Sequence, residues 1–259
     1  MESARDAYDR FAAAYDEWTA QNDYEMWLGK VLLPELAKHG LEKGWALDVG
    51  CGTGRAFEPL LARGWRVVGC DVSVGMLAEA GRKFGSRVEL LNLDARSLPP
   101  ICPSPGLSTG EAFQLVLLLN DVVNYLTEDG DLERALAGVA RNLSRDRGLA
   151  VFDANTLALF RADYASDVRE ETGGREWRGL TPEVRPGATF EGRLSGRDLE
   201  THRHRQRHWT TEQVKEALEA SGLRPLAALG QREEDGRILL SPSPDEERDA
   251  KIVYIAGRA

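Results

Sequence analysis

Three carboxylates, Asp48, Asp71 and Asp94, each close a short apolar run, and a turn with glycines at alternate positions (Gly50, Gly52, Gly54) follows the first of them. Glycines in such a turn admit positive φ, or let a ligand approach the backbone with no Cβ in the way. At the carboxyl edge of a parallel sheet these groups converge where doubly wound folds bind ligands. Asp71 is placed to accept two ribose hydroxyls of a nucleoside-containing ligand and to repel a 2′-phosphate. Asp94 is placed to hold the exocyclic amine of an adenine, and Asp48 to meet a ligand ammonium directly or through water. After the fourth apolar run come Asn120, Asp121, Asn124 and Tyr125. Asp121 there either orients an ammonium-type substrate and takes its proton, or caps the short helix that follows.

The elements that must position these groups alternate from Trp45 onward. Strands are expected over 46–49, 66–70, 88–91, 113–119 and 148–153, with helices between them, Ser73 capping the second. The fourth run is nearly all apolar, as befits a strand buried on both faces. Alternation of this kind demands a mostly parallel sheet with right-handed crossovers. Ahead of it, residues 3–39 read as two helices. Tyr8, Phe11, Tyr15 and Trp18 fall at helical spacing and either pack on the body or line a pocket; Pro34 marks a break in the second helix. The Ser97–Gly110 loop, rich in Pro, Ser and Gly, is expected to be mobile. The regularity ends after Asn155. Residues 166–209 suggest three or four antiparallel strands punctuated by Gly173-Gly174, Pro186-Gly187 and Gly196. A helix starting at Thr210 or Thr211 and two strands, over 223–229 and 251–256, complete the sheet. The expected organisation is therefore 1–40 as N-terminal lid helices, 41–160 with 210–259 as the core, and 161–209 as a β-rich insert.

Composition narrows the choices. A chain of 259 residues suits one large domain or one domain with an insertion. The net charge of −9 argues against nucleic acid as a partner. Cys51, Cys70 and Cys102 lack C-x-x-C spacing, so they indicate neither a disulfide framework nor a zinc site. In the run from His202 to His208, a strand would put His202, His204 and His208 on one face and Arg203, Arg205 and Arg207 on the other. That reads as an exposed strand with solvated arginines or, at His208 beside Trp209, as a substrate-facing histidine. No carboxylate or cysteine completes a metal site there, and no metal is expected. The first nine residues are polar, and no apolar run approaches the ~20 residues of a spanning helix. The expectation is a cytoplasmic monomer or homodimer with no membrane or nucleic-acid partner. A dinucleotide fingerprint fails, because its third glycine would fall at Arg55 or Phe57. No Gly-Lys-Ser/Thr sequence supports a P-loop.

Leu47 to Gly54, Gly69 to Leu77 and Asn92 to Ala95 stand in an order and spacing that resembles the class I S-adenosylmethionine-dependent methyltransferases, over residues 45–155. Tyr8-Asp9-Arg10-Phe11 with Tyr15-Asp16-Glu17-Trp18 resembles the lid helix of that family's small-molecule branch. So does His202 to Trp209 leading into Thr211-Glu212-Gln213-Val214 and Gly222-Leu223. The pattern is similar to that of antibiotic sugar N,N-dimethyltransferases. The resemblance implies an α/β, Rossmann-like, doubly wound, seven-stranded and mostly parallel sheet with an antiparallel β insert after strand five. It implies S-adenosyl-L-methionine as cofactor, S-adenosyl-L-homocysteine as product, and in-line methyl transfer to a small-molecule acceptor, an amine slightly favoured over a hydroxyl.

By the same resemblance the turn of Gly50, Cys51, Gly52 and Gly54 passes the methionyl portion, and Asp48 lies nearby. Asp71 binds the ribose, Val72 and Met76 lie against the adenine, and Asp94 and Ala95 meet its edge. The backbone near Leu119 and Asn120 holds the ammonium. Tyr8 and Tyr15 close over the sulfonium with their ring faces. Asp121, Tyr15 and His208 are the acceptor-side catalytic candidates; members of the group often carry a histidine near the position of Asn124, and this chain has none. A protein or RNA methyltransferase and a non-catalytic nucleoside-binding regulator are the alternatives.

Overall fold

The computed structural model describes residues 4–41, 43–103, 112–165, 169–172, 174–196 and 199–259. Residues 104–110 of the loop expected to be mobile, together with Ser166 and Gly173 of the insert, lie outside the described residues. The chain opens with α1 (Ala4–Trp18). A π-helical segment, Glu25–Leu32, then runs into α2 (Leu33–Lys38). Pro34 stands in the first turn of α2, where its missing N–H costs nothing, so it marks a change of helical winding.

The alternating region follows as β1 (Trp45–Val49), α3 (Phe57–Leu61), β2 (Arg66–Asp71), α4 (Val74–Phe84), β3 (Glu89–Asn92), β4 (Leu115–Leu118), α5 (Asp131–Asn142) and β5 (Leu149–Asn155). Ser73 caps α4, its hydroxyl accepting the N–H of Met76. After β5 come α6 (Leu157–Tyr164), β6 (Arg169–Thr172), β7 (Arg175–Gly179), β8 (Thr189–Gly196) and β9 (Leu199–Arg207). The chain ends with α7 (Thr211–Ala220), β10 (Leu223–Glu234), β11 (Arg237–Ser241) and β12 (Lys251–Arg258). A full capping box starts α7, Thr210 and Gln213 satisfying each other's backbone N–H groups.

The main sheet runs β11-β10-β12-β5-β4-β1-β2-β3. The five strands from β3 to β5 are parallel, and β12, β10 and β11 close the far edge antiparallel. The doubly wound sheet thus has eight strands rather than seven. The eighth, β11, is folded back on β10 by Asp235 and Gly236, both at positive φ (52° and 70°), the turn chemistry that an Asp-Gly pair favours. Strand alternation splits the core into two layers. Leu47, Val49 and Val116 face α5 and α7, whereas Ala46, Leu115 and Leu117 face the π-helical segment and α3.

The insert is a separate four-stranded antiparallel sheet, β6-β7-β8-β9. It is anchored by a helix the sequence pattern did not announce, α6, whose Phe160 stacks on Phe190 at 4.2 Å between ring centroids. Within β9 the side chains alternate: His202, His204 and Gln206 are buried, while Arg203 and Arg205 turn outward. Buried Trp209 fastens the insert's end to the core by donating its Nε1–H to the carbonyl of Val123 at 2.9 Å.

Candidate active site

Two cavities meet above the carboxyl ends of the parallel strands. The first has about 660 Å³ of atom-free space and the second about 1080 Å³, both counting the open solvent at their mouths. Tyr8, Tyr15, Asn120 and Tyr125 line both, forming a common wall.

The glycine turn and Asp71 build the first cavity. Gly52 takes φ 54°, and the place its Cβ would occupy is open space. At Gly50, φ is 72°, and a Cβ would collide with Val122 at 2.5 Å. A side chain is therefore barred at one position by conformation and at the other by packing as well. The Asp71 carboxylate accepts the N–H of Gly52 and of Ser73, both at 2.8 Å, which locks the turn to the end of β2. Burial pushes its pKa above the usual carboxylate range even so. Cys51, Val72, Met76 and Leu119 complete this wall of the cavity.

Helix α1 roofs both cavities and is fastened at two points. Asp9 accepts from the Ser73 hydroxyl at 2.6 Å and from the Gly75 N–H at 2.9 Å. Asp16 accepts from the Thr53 hydroxyl at 2.5 Å and pairs with Lys83 at 2.6 Å. Tyr8 and Tyr15 hang from this helix, and burial drives the Tyr15 phenol up to about 12, so it is un-ionised at neutral pH. Tyr24, just ahead of the π-helical segment, also lines the first cavity and accepts a hydrogen bond from the Asn120 amide.

Several expected residues lie elsewhere. Asp94 and Ala95 are absent from the lining; Asp94 is held by Arg96, which also depresses its pKa, and it caps the turn Ala95–Ser97. Gly54 packs on Phe57 and Phe84 behind the turn. Asp48 is buried one layer below the cavity, where burial and then neighbouring Asp71 raise its pKa to about 8. A carboxyl protonated in the folded chain but ionised above about 3.9 when unfolded makes stability fall as pH climbs from there through about 8. Asp48→Asn should flatten that decline in thermal midpoints of ligand-free protein between pH 5 and 9. Parallel curves for variant and parent would refute the assignment.

The second cavity is set by a strained turn. Asn120 and Asp121 both take left-handed φ, 58° and 68°. Fully buried Asp153, on β5, accepts both of their N–H groups, at 2.7 and 3.0 Å. Lys251, the first residue of β12, donates to Asp121 at 2.5 Å and to Asp153 at 3.3 Å. Burial would lower the Lys251 pKa, but the two carboxylates outweigh it and hold the ammonium charged. Asp121 precedes the short helical turn Val122–Tyr125 without capping it through its side chain, so the capping alternative is set aside. Its carboxylate is already neutralised by Lys251, a partner sequence reasoning missed. The only advance signals were a carboxylate inside the otherwise apolar β5 and a lysine opening an apolar β12.

The histidine expectation is corrected. His208 lies outside both cavities, beyond the end of β9, where it bonds to the Gly187 N–H at 3.1 Å and to Glu246 at 3.1 Å. The histidine at the second cavity is His204, whose Nδ1 lies 2.8 Å from the Tyr125 hydroxyl. Burial, then His202, push its pKa down to about 4, so it is neutral near pH 7. Phe11, Tyr15, Trp18, Tyr164 and Trp177 give this cavity aromatic walls, with Asn155, Asp163 and Gln206 as polar members. Asn124 is structural: it accepts the Asn155 N–H at 3.0 Å and donates to the Arg207 carbonyl at 2.8 Å.

This arrangement is the fold of the class I S-adenosylmethionine-dependent methyltransferases, and a family profile described as a methyltransferase domain matches residues 46–146. An S-adenosylmethionine-dependent methyltransferase from Clostridium acetobutylicum superimposes with a TM-score of 0.75 at 22% identity, over 97% of this chain and 99% of that one. CalS10 of Micromonospora echinaspora, an amino pentose methyltransferase of calicheamicin biosynthesis, gives a TM-score of 0.62 at 19% identity, with 96% of each chain covered. YqeM of Bacillus subtilis, named as a methyltransferase, is 31% identical over 151 residues, 58% of this chain and 56% of that protein. The chain spans little more than half the length of the curated relatives it matches. Among the described residues, no helix is long and apolar enough to cross a membrane.

Proposed function

We propose that this chain transfers a methyl group from S-adenosylmethionine to a small-molecule amine. The observation that carries the reading is the shared wall: two cavities abut at Tyr8, Tyr15, Asn120 and Tyr125, so ligands in each would face one another across a single layer of side chains. The first cavity's residues fit the cofactor. Asp71 offers carboxylate lone pairs beyond those used by the turn, suited to ribose hydroxyls. The bare backbone at Gly52 leaves room for the methionyl chain, and Val72 and Met76 supply an apolar face for adenine. The backbone at Leu119 and Asn120 suits the ammonium, and the rings of Tyr8 and Tyr15 favour a cation.

When bound, S-adenosylmethionine supplies an already activated methyl group, so the protein's task is alignment and exclusion of water, worth about 7–11 kcal/mol in good cases. Helix α1 and the insert perform both. On this reading residues 1–40 are the lid, 41–160 with 210–259 the cofactor-binding core, and 161–209 the roof of the acceptor cavity. The preference for an amine rests on the aromatic walls of the second cavity, whose ring faces attract a substrate ammonium. Asp121, tied to Lys251, contributes shape and hydrogen bonding there more than free charge. The amino pentose substrate class of CalS10 agrees with this choice.

Calorimetry against S-adenosylhomocysteine tests the first half of the proposal, and a screen of amine and hydroxyl acceptors with labelled methyl donor tests the second. The expected outcome is micromolar or tighter binding followed by label in an amine. Binding without transfer to any acceptor would make the chain a nucleoside-binding regulator, and label in the hydroxyl compounds alone would overturn the amine assignment.

A further inference from the structure

The end of the main sheet remote from the two cavities carries a depression of its own. It has about 610 Å³ of atom-free space, open solvent at its mouth included, and Arg145, Arg147, Arg224, Arg258 and His39 line it with a single carboxylate, Asp146. Stretches distant in sequence meet there: the end of α2, the turn between α5 and β5, the start of β10 and the end of β12. Antiparallel register brings them together, because Gly257 pairs with Arg224 on one side and with Leu149 on the other. Six residue steps along β12 separate Gly257 from Lys251, about 20 Å of strand, so the depression and the second cavity lie at opposite ends of the same strands.

The charge gathered here is opposite in sign to that of the whole chain, which carries −9. Many arginines elsewhere are met by carboxylates, as Arg63 is by Glu25, Arg161 by Glu247 and Arg207 by Asp129. Among the described residues, neither Arg145 nor Arg224 pairs with a carboxylate, while Arg258 is steadied by donating to the Leu143 carbonyl at 3.2 Å. Guanidinium groups crowded against one carboxylate repel one another, and an entering anion relieves that repulsion. The lining holds arginines and no lysine. A guanidinium fork matches two oxygens of a phosphate, whereas a carboxylate has only two oxygens to divide among all the forks.

We propose that this depression binds a phosphate anion carrying two or more negative charges, with Arg145 and Arg224 as its principal ligands and Arg258 and His39 beside them. The site is independent of the methyltransferase reading, since it shares no residue with either cavity.

Inorganic pyrophosphate is the probe, titrated by calorimetry into the full chain in a phosphate-free buffer of low ionic strength. The result expected is one site per chain with a Kd below about 1 mM. Arg145→Glu with Arg224→Glu should weaken binding roughly 10²-fold or more, as charge-assisted hydrogen bonds give way to repulsion. Lys215→Glu with Arg237→Glu changes the net charge equally at exposed positions outside the depression, and should leave affinity within about threefold. Arg145→Lys with Arg224→Lys keeps the charge but not the forks, and should cost about fivefold or more. Circular dichroism checks that each variant is folded; the lysine pair carries the test should the glutamate pair fail to fold. No binding up to about 5 mM, an equal loss in the Lys215 and Arg237 control, or full affinity in the lysine variant would each overturn the site. Tighter binding of a single-stranded RNA oligomer, lost in the same glutamate variant, would overturn it in favour of a nucleic-acid surface. A parallel titration with uridine diphosphate tells an esterified phosphate from the free anion. Binding of either one that disappears in the glutamate variant supports the proposal, and the tighter of the two names the source.

Discussion

Replacing Asp71 with alanine is expected to weaken S-adenosylhomocysteine binding roughly 10²–10⁴-fold, since two hydrogen bonds to a charged acceptor at about 1.5–3 kcal/mol each disappear. The side chain serves two masters. It holds the glycine turn through the N–H groups of Gly52 and Ser73, and it faces the cavity where ribose hydroxyls would arrive. Asp71→Asn keeps one accepting oxygen and loses the charge, so it should fall between alanine and wild type. Circular dichroism confirms the fold and calorimetry reads the affinity. An alanine variant that folds and binds within threefold of wild type would remove the ribose assignment.

The second large effect concerns the strained turn after β4. Asp153→Ala deprives Asn120 and Asp121 of the acceptor for both N–H groups and leaves Lys251 with one carboxylate in a buried setting. Breaking a buried charge pair costs about 3–5 kcal/mol, which for a chain of this size lowers the thermal midpoint by roughly 6–20 °C. A control isolates the backbone component. Glycine accepts left-handed φ without a Cβ penalty, so Asn120→Gly in the Asp153→Ala background, which leaves the Asp121–Lys251 pair in place, should regain part of the lost midpoint. If the glycine gives no recovery, the conformation at Asn120 is not what Asp153 maintains.

The core and half of the site were legible in the sequence because local rules governed them. Asp48 and Asp71 end runs whose apolar character forces them into buried parallel strands, and the glycine turn between them needs conformations that few other residues adopt. Asp94 misled for a local reason too: Arg96, two residues on, claims its carboxylate. What escaped was set by register between distant segments. Lys251 meets Asp121 only once β12 pairs antiparallel with β5, bringing Lys251 opposite Asn155. His204 and His208 share parity on paper, yet the strand ends at Arg207, and His208 follows the turn toward α7 rather than the cavity. The extra strand β11 was announced by Asp235-Gly236, a short-range hairpin signal that the surrounding polar residues obscured.

One partition serving two rooms constrains how such a protein can diversify. On the proposed function, a change at Tyr8, Tyr15, Asn120 or Tyr125 would alter the grip on donor and acceptor together. Trp177, Leu194, His204 and Gln206 border the second room alone and all come from the insert. On that reading, new acceptors would be reached with least disturbance by rewriting that small sheet, as one recuts a key's teeth and leaves its bow untouched.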